Sequence, residues 1–226
     1  PVGLADKQTD LDRLDKPLDS SIVVFFPTSA DSVYQLGPWL LALAQLNQAH
    51  PVSLIFRDSR TAALVREESG LDCLTLARYG QLDAILSRSN VKLALYVNHD
   101  PVNFECLRFT SLTHIYLGHG DSDKGVSVSN QVKAYDYCFL AGQAAVDRTA
   151  SSVMAYDAAA RSILIGQPQL DAPAIAARPD PTRKTVLYAP TWEGSQPSVS
   201  YGSVASHGAA ILAALGGTYR VISRPH

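Results

Sequence analysis

Short apolar, β-branched runs recur through residues 21–165 with helical stretches between them, and this alternation limits the possible folds more than any other feature of the chain. The run at 21–27 (SIVVFFP) is too short and too β-branched for a helix and reads as a buried strand. Further strands are expected at 51–56, 71–76, 91–97 (VKLALYV), 114–117, 135–140 (YDYCFL) and 161–165 (RSILI). Helices are expected between them. At 33–47, Leu36, Leu40, Leu43, Ala44 and Leu46 recur at helical spacing, and Pro38 suits a first turn. The others fall at 60–69 (stopped by Gly70), 81–89, 104–111 and 143–156, while 128–133 reads as irregular or weakly helical. Strands and helices in this rhythm mean parallel βαβ units, so the fold class expected is α/β with a parallel sheet.

The rhythm breaks once. Residues 172–183 carry Pro173, Pro179 and Pro181 among alanines and read as an interdomain linker. The pattern then restarts with a strand at 185–189, a helix within 202–215 and a strand at 219–223. The expected organisation is a polar linker or arm at 1–20, a first Rossmann-like domain at 21–171, the linker at 172–183, and the beginning of a second Rossmann-like domain at 184–226, incomplete as it stands. The chain lacks an initiator Met and is expected to be part of something longer.

Composition excludes several classes. A formal charge of -2 gives no basic field for nucleic acid. Cys73, Cys106 and Cys138 are three in number and widely spaced, with no CxxC, so neither a disulfide framework nor a zinc site is indicated. Each sits among apolar residues and reads as a buried reduced thiol, which points to the cytoplasm. No apolar run is long enough to cross a bilayer, and residues 1–19 do not form a signal peptide.

The stretch with the clearest chemistry is 112–125 (LTHIYLGHGDSDKG). An apolar strand runs into Gly118-His119-Gly120, and strands of open α/β sheets carry their chemistry in the loop beyond the carboxyl end. Glycines on both sides clear space around the His119 ring. Familiar motifs fail here: Lys124 precedes Gly125, so no phosphate loop exists, and Asp123 occupies the third glycine position of GxGxxG. No GxSxG elbow occurs. Asp121-Ser122-Asp123 matches the DxD triplet of metal-dependent glycosyltransferases, yet two acids in a polar loop read as solvated side chains, and no metal is expected there.

Four features follow apolar strands in order: His119-Gly120 with Lys124; Gly166-Gln167-Pro168-Gln169-Leu170-Asp171; Ala189-Pro190-Thr191-Trp192; and Arg224-Pro225-His226. Together they resemble the CDP-glycerol glycerophosphotransferase family, the teichoic-acid polymerases and primases of glycosyltransferase-B-like build, across roughly residues 21–226. Members carry an HG…K loop late in the first domain, G-x-P-x-x-D where it ends, an A-P-T-W strand end opening the second, and a histidine-proline loop after it. Here Asp121, Ser122 and Asp123 stand where members usually have small or apolar residues and a lysine pair.

The resemblance implies a transferase that moves a polyol-phosphate group from a CDP-linked donor such as CDP-glycerol to a polyol-phosphate or glycolipid acceptor, without a cofactor. It implies catalytic roles for His119 and His226, and substrate contacts from Gly120, Lys124, Gly166, Pro168, Asp171, Thr191 and Arg224. His119 would take the acceptor proton, while His226, Arg224 and Lys124 would meet charge on the phosphoryl oxygens. Because both histidines directly follow strands, His119 is expected at the carboxyl end of a central strand facing the cleft between the two units, with His226 approaching from the other side. The setting is teichoic-acid-like polymer synthesis in the cytoplasm, with peripheral contact at the inner face of the membrane and no nucleic-acid partner. Two other readings stay open: a glycosyltransferase or sugar-nucleotide epimerase of the same build using a UDP-sugar, and a non-catalytic domain that binds an anionic polymer.

Overall fold

A computed structural model describes residues 13–122, 128–171, 182–191 and 202–225. The chain divides into two compact units, residues 1–173 and 174–226.

The first unit is a seven-stranded parallel sheet in the order β3-β2-β1-β4-β5-β6-β7. Its strands are β1 (Ile22–Phe26), β2 (Val52–Phe56), β3 (Asp72–Thr75), β4 (Leu93–Tyr96), β5 (Thr113–Tyr116), β6 (Tyr137–Leu140) and β7 (Ser162–Leu164). All five residues of β1 and of β2 are buried, as both faces of an interior parallel strand must be. Alternate side chains feed two cores. Ile22, Val24 and Phe26 pack with Leu54 and Phe56 under helices α1 (Leu40–Ala49) and α2 (Ser59–Ser69). Val23 and Phe25 pack with Ile55 and Tyr96 against α3 (Tyr79–Arg88) and α4 (Asn103–Leu107) on the opposite face. Helices α5 (Gln143–Ser152) and α6 (Ala158–Arg161) connect β6 to β7.

Local chemistry sets the boundaries. The Asp58 carboxylate accepts from the Arg60 and Thr61 amides and caps α2, which ends at Gly70 in the left-handed region (φ 65°). The helix expected at 33–47 is not one helix. Two 3₁₀ turns, Ala30–Gln35 and Gly37–Trp39, precede α1, because Pro38 has no N–H to give to an α-helical ladder. The helix expected at 143–156 stops at Ser152, where Val153 is extended, and Asp157 caps a new short helix through the Ala160 amide.

All seven strands run the same way, so their carboxyl ends share one edge, and the strand order reverses between β1 and β4. The second unit holds a separate parallel pair, β8 (Thr185–Tyr188) and β9 (Arg220–Ser223), with α7 (Ala209–Gly216) between them in sequence. Cys73, Cys106 and Cys138 are buried and unpaired. Among the described residues no helix is long and apolar enough to cross a membrane.

Candidate active site

The carboxyl edge of the first sheet carries a cavity of about 290 Å³. Its walls come from the loop after β5 (residues 118–121), the end of β6, one face of α5, the loop after β7 and the turn around Trp39. His119, Gly120 and Gly166 all line it, so three of the expected site residues meet in one place. One backbone feature shapes each of the loops after β5 and β7. Gly118 has φ 67°, with the Tyr116 ring 3.6 Å from where a Cβ would stand, and its carbonyl accepts the Trp39 indole N–H at 2.6 Å. Gly166 has φ 72°. Both conformations cost a residue with a side chain about 1–2 kcal/mol.

His119 is exposed, with its ring edge-on to Tyr34 at a centroid separation of 6.3 Å and 87° between planes. Partial desolvation lowers its pKa below the ordinary histidine value, against an opposing hydrogen bond to the Val97 carbonyl. A neutral imidazole carries its proton on one ring nitrogen and a lone pair on the other. At neutral pH this is a neutral imidazole with one basic nitrogen.

The remaining expected residues are dispersed. Pro168 opens a 3₁₀ turn (Pro168–Leu170) and lines a neighbouring apolar groove. Asp171 ends that turn, its amide bonded to the Pro168 carbonyl, and its side chain is exposed. In the second unit, Thr191 and Arg224 both follow strand carboxyl ends, and the Arg224 amide donates to the Tyr188 carbonyl. Lys124 and His226 lie outside the described residues, as does Asp123.

Asp121 departs from expectation. It is not simply solvated: Arg148 Nη1, on α5, donates to its Oδ1 at 2.6 Å on the cavity wall.

A second histidine escaped the sequence reading. His99, just beyond β4, stacks on Tyr116 at 4.1 Å and 9°, and neither of its ring nitrogens has a hydrogen-bond partner among the described residues. Burial, with a smaller contribution from nearby His119, holds its pKa down at about 4. The signal that flagged His119, a histidine directly after an apolar strand, is also present in Tyr96-Val97-Asn98-His99.

No protein-family model matches the sequence, and no curated protein matches it. Solved structures do. The chain is similar in fold to the wall teichoic acid polymerase TagF. The TM-score is 0.54 at 14% identity, over 99% of this chain and 59% of the polymerase chain, so the chain spans 59% of that protein's resolved length. A variant of TagF matches at a TM-score of 0.53 over 97% and 59% of the two chains, also at 14% identity. A glycosyltransferase from Rickettsia africae ESF-5 matches at a TM-score of 0.52 and 10% identity, over 92% of this chain and 69% of that one. At these identities the likeness is one of fold. The expected class, a Rossmann-like α/β domain of glycosyltransferase-B type, is the class found, and the motif resemblance to teichoic-acid polymerases agrees with the fold likeness to TagF.

Proposed function

We propose that the protein transfers a polyol-phosphate group from a CDP-linked donor such as CDP-glycerol to an acceptor hydroxyl in teichoic-acid-like polymer synthesis. The observation that carries this reading is His119: a neutral imidazole at the carboxyl end of β5, on the wall of a cavity, in a chain with the fold of TagF. The acceptor oxygen forms a bond to the β-phosphorus of the donor. Its proton passes to the basic nitrogen of His119, and the bond from that phosphorus to the bridging oxygen breaks. CMP leaves with the bridging oxygen and the electron pair. Charge builds on the phosphoryl oxygens, and Arg224 and His226 are assigned to meet it, with Lys124 in support. Gly120 and Gly166 admit substrate close to the backbone, and Pro168, Asp171 and Thr191 are assigned to substrate contacts. The acceptor is a polyol phosphate or a glycolipid, and the polymer places the protein at the cytoplasmic face of the membrane as a peripheral protein.

The fold likeness to a glycosyltransferase favours one alternative, transfer of a sugar from a UDP-linked donor. Nucleotide release by the whole protein, measured with CDP-glycerol and with a panel of UDP-sugars under the same acceptor, separates the two. CMP release from CDP-glycerol at least tenfold faster than UDP release is expected, and the reverse preference overturns the proposal.

A further inference from the structure

Arg148 and Asp121 face the same cavity as His119, and their side chains are only 18% and 29% exposed. Arg148 reaches the cavity because Ala145, Arg148 and Thr149, three and four positions apart, share one face of α5. Among the described residues lining the cavity it is the one guanidinium or ammonium group. A guanidinium presents a planar fork of N–H donors that fits carboxylate and phosphate alike. The Asp121 carboxylate therefore occupies a direction from which a phosphate would bind. The cavity, about 290 Å³, sits at the lower limit for small-molecule sites, roughly 300–1,000 Å³, and suits one polyol-phosphate unit better than a whole sugar nucleotide.

We propose that Arg148 reads a phosphate of the acceptor, and that the Asp121 carboxylate competes with that phosphate for the guanidinium. This rests on the reading of His119 as the base for the acceptor hydroxyl, and it assigns Arg148 and Asp121 to the recognition of one acceptor group, a phosphate next to the attacking hydroxyl. Arg148 is then a specificity residue, and Asp121 tunes it by competition.

The pair could instead merely pin the loop after β5 to α5. The two roles differ in sign. A structural pin fails the same way whichever partner is removed. An anion subsite loses affinity when the cation goes and gains it when the competing carboxylate goes.

The test is calorimetric titration of sn-glycerol 3-phosphate, with glycerol as the neutral control, into the whole protein and its variants, each checked for a native melting transition. Wild type should bind glycerol 3-phosphate saturably. Arg148→Gln should bind it about tenfold to a hundredfold more weakly, the scale of a lost charged hydrogen bond. Arg148→Lys should fall between, and Asp121→Asn should bind a few-fold more tightly. Glycerol binding should be unmoved by all three. If Arg148→Gln does not fold, Asp121→Asn and Arg148→Lys still give the opposed signs. Equal weakening in Asp121→Asn and the Arg148 variants, a matching change with glycerol, or no saturable binding to wild type would overturn the proposal. CMP release from CDP-glycerol tells the two readings apart. Release without these binding signs removes the subsite and leaves the transfer reading. The binding signs without release leave the subsite and remove the transfer reading.

Discussion

His119 and His99 are neighbours with opposite surroundings. His119 is exposed and keeps one nitrogen basic, whereas His99 is half-buried, stacked on Tyr116 and shielded at both nitrogens. In the proposed reaction His119 acts as the base, and the form that does so is the neutral one. Its lowered pKa keeps that form populated at pH 7, and activity falls as pH drops through the lowered value. The acid limb of kcat/KM should therefore have its midpoint below about 6.5, the ordinary histidine value; a midpoint at or above it would remove His119 as the titrating base. For His99 the consequence is stability. The unfolded chain takes up a proton near pH 6.5 and the folded chain near 4, so its contribution is full above the unfolded value and is lost as pH falls between the two. The loss is on the order of 3 kcal/mol. His114, buried and also lowered, adds to it with the same sign. Urea unfolding at pH 7.5 and 4.5 should show a smaller acid loss in His99→Phe than in wild type, and an equal loss in both would contradict the account.

The turn holding Trp39 is the element that ties the first helical layer to the loop carrying His119. Trp39 is buried, and its indole N–H reaches the Gly118 carbonyl, one residue before His119. Trp39→Phe keeps most of the apolar area but leaves that carbonyl without its donor, so it should cost about 1–3 kcal/mol in urea unfolding and lower turnover through the loop. Unchanged stability and turnover would show that the bond does not hold the loop. This element was hard to read in sequence. Gly37-Pro38-Trp39 sits inside an apolar periodicity that fits one helix, and only the proline hints that the helix has yet to begin. The strands were easier, since IVVFF is apolar on both faces and VSLIF nearly so, as interior parallel strands are. Asp58 and Gly70 likewise mark the ends of α2 by their own chemistry.

At the scale of the whole molecule, the sheet edge gathers what the sequence scatters. His119 and Gly166 lie in separate motifs, yet both follow strands of one parallel sheet, and that topology was legible from the βαβ rhythm. The Arg148–Asp121 pair was not legible, because its partners are 27 positions apart and belong to a helix and a loop whose approach is decided by tertiary packing. Asp121 even carried a misleading signal, a DxD triplet, whose local pattern says nothing about a guanidinium from α5. His99 carried the same strand-end signal as His119 but no flanking glycine.

The central claim is that the cavity beside β5 is where the acceptor hydroxyl loses its proton to His119. Steady-state CMP release from CDP-glycerol by the whole protein and its His119→Ala variant, with circular dichroism to confirm folding, tests it most directly. The account predicts that turnover falls about a hundred- to ten-thousand-fold while donor affinity stays within a few-fold, because a general base acts mainly in the transition state. A folded His119→Ala protein that turns over within a few-fold of wild type would contradict it.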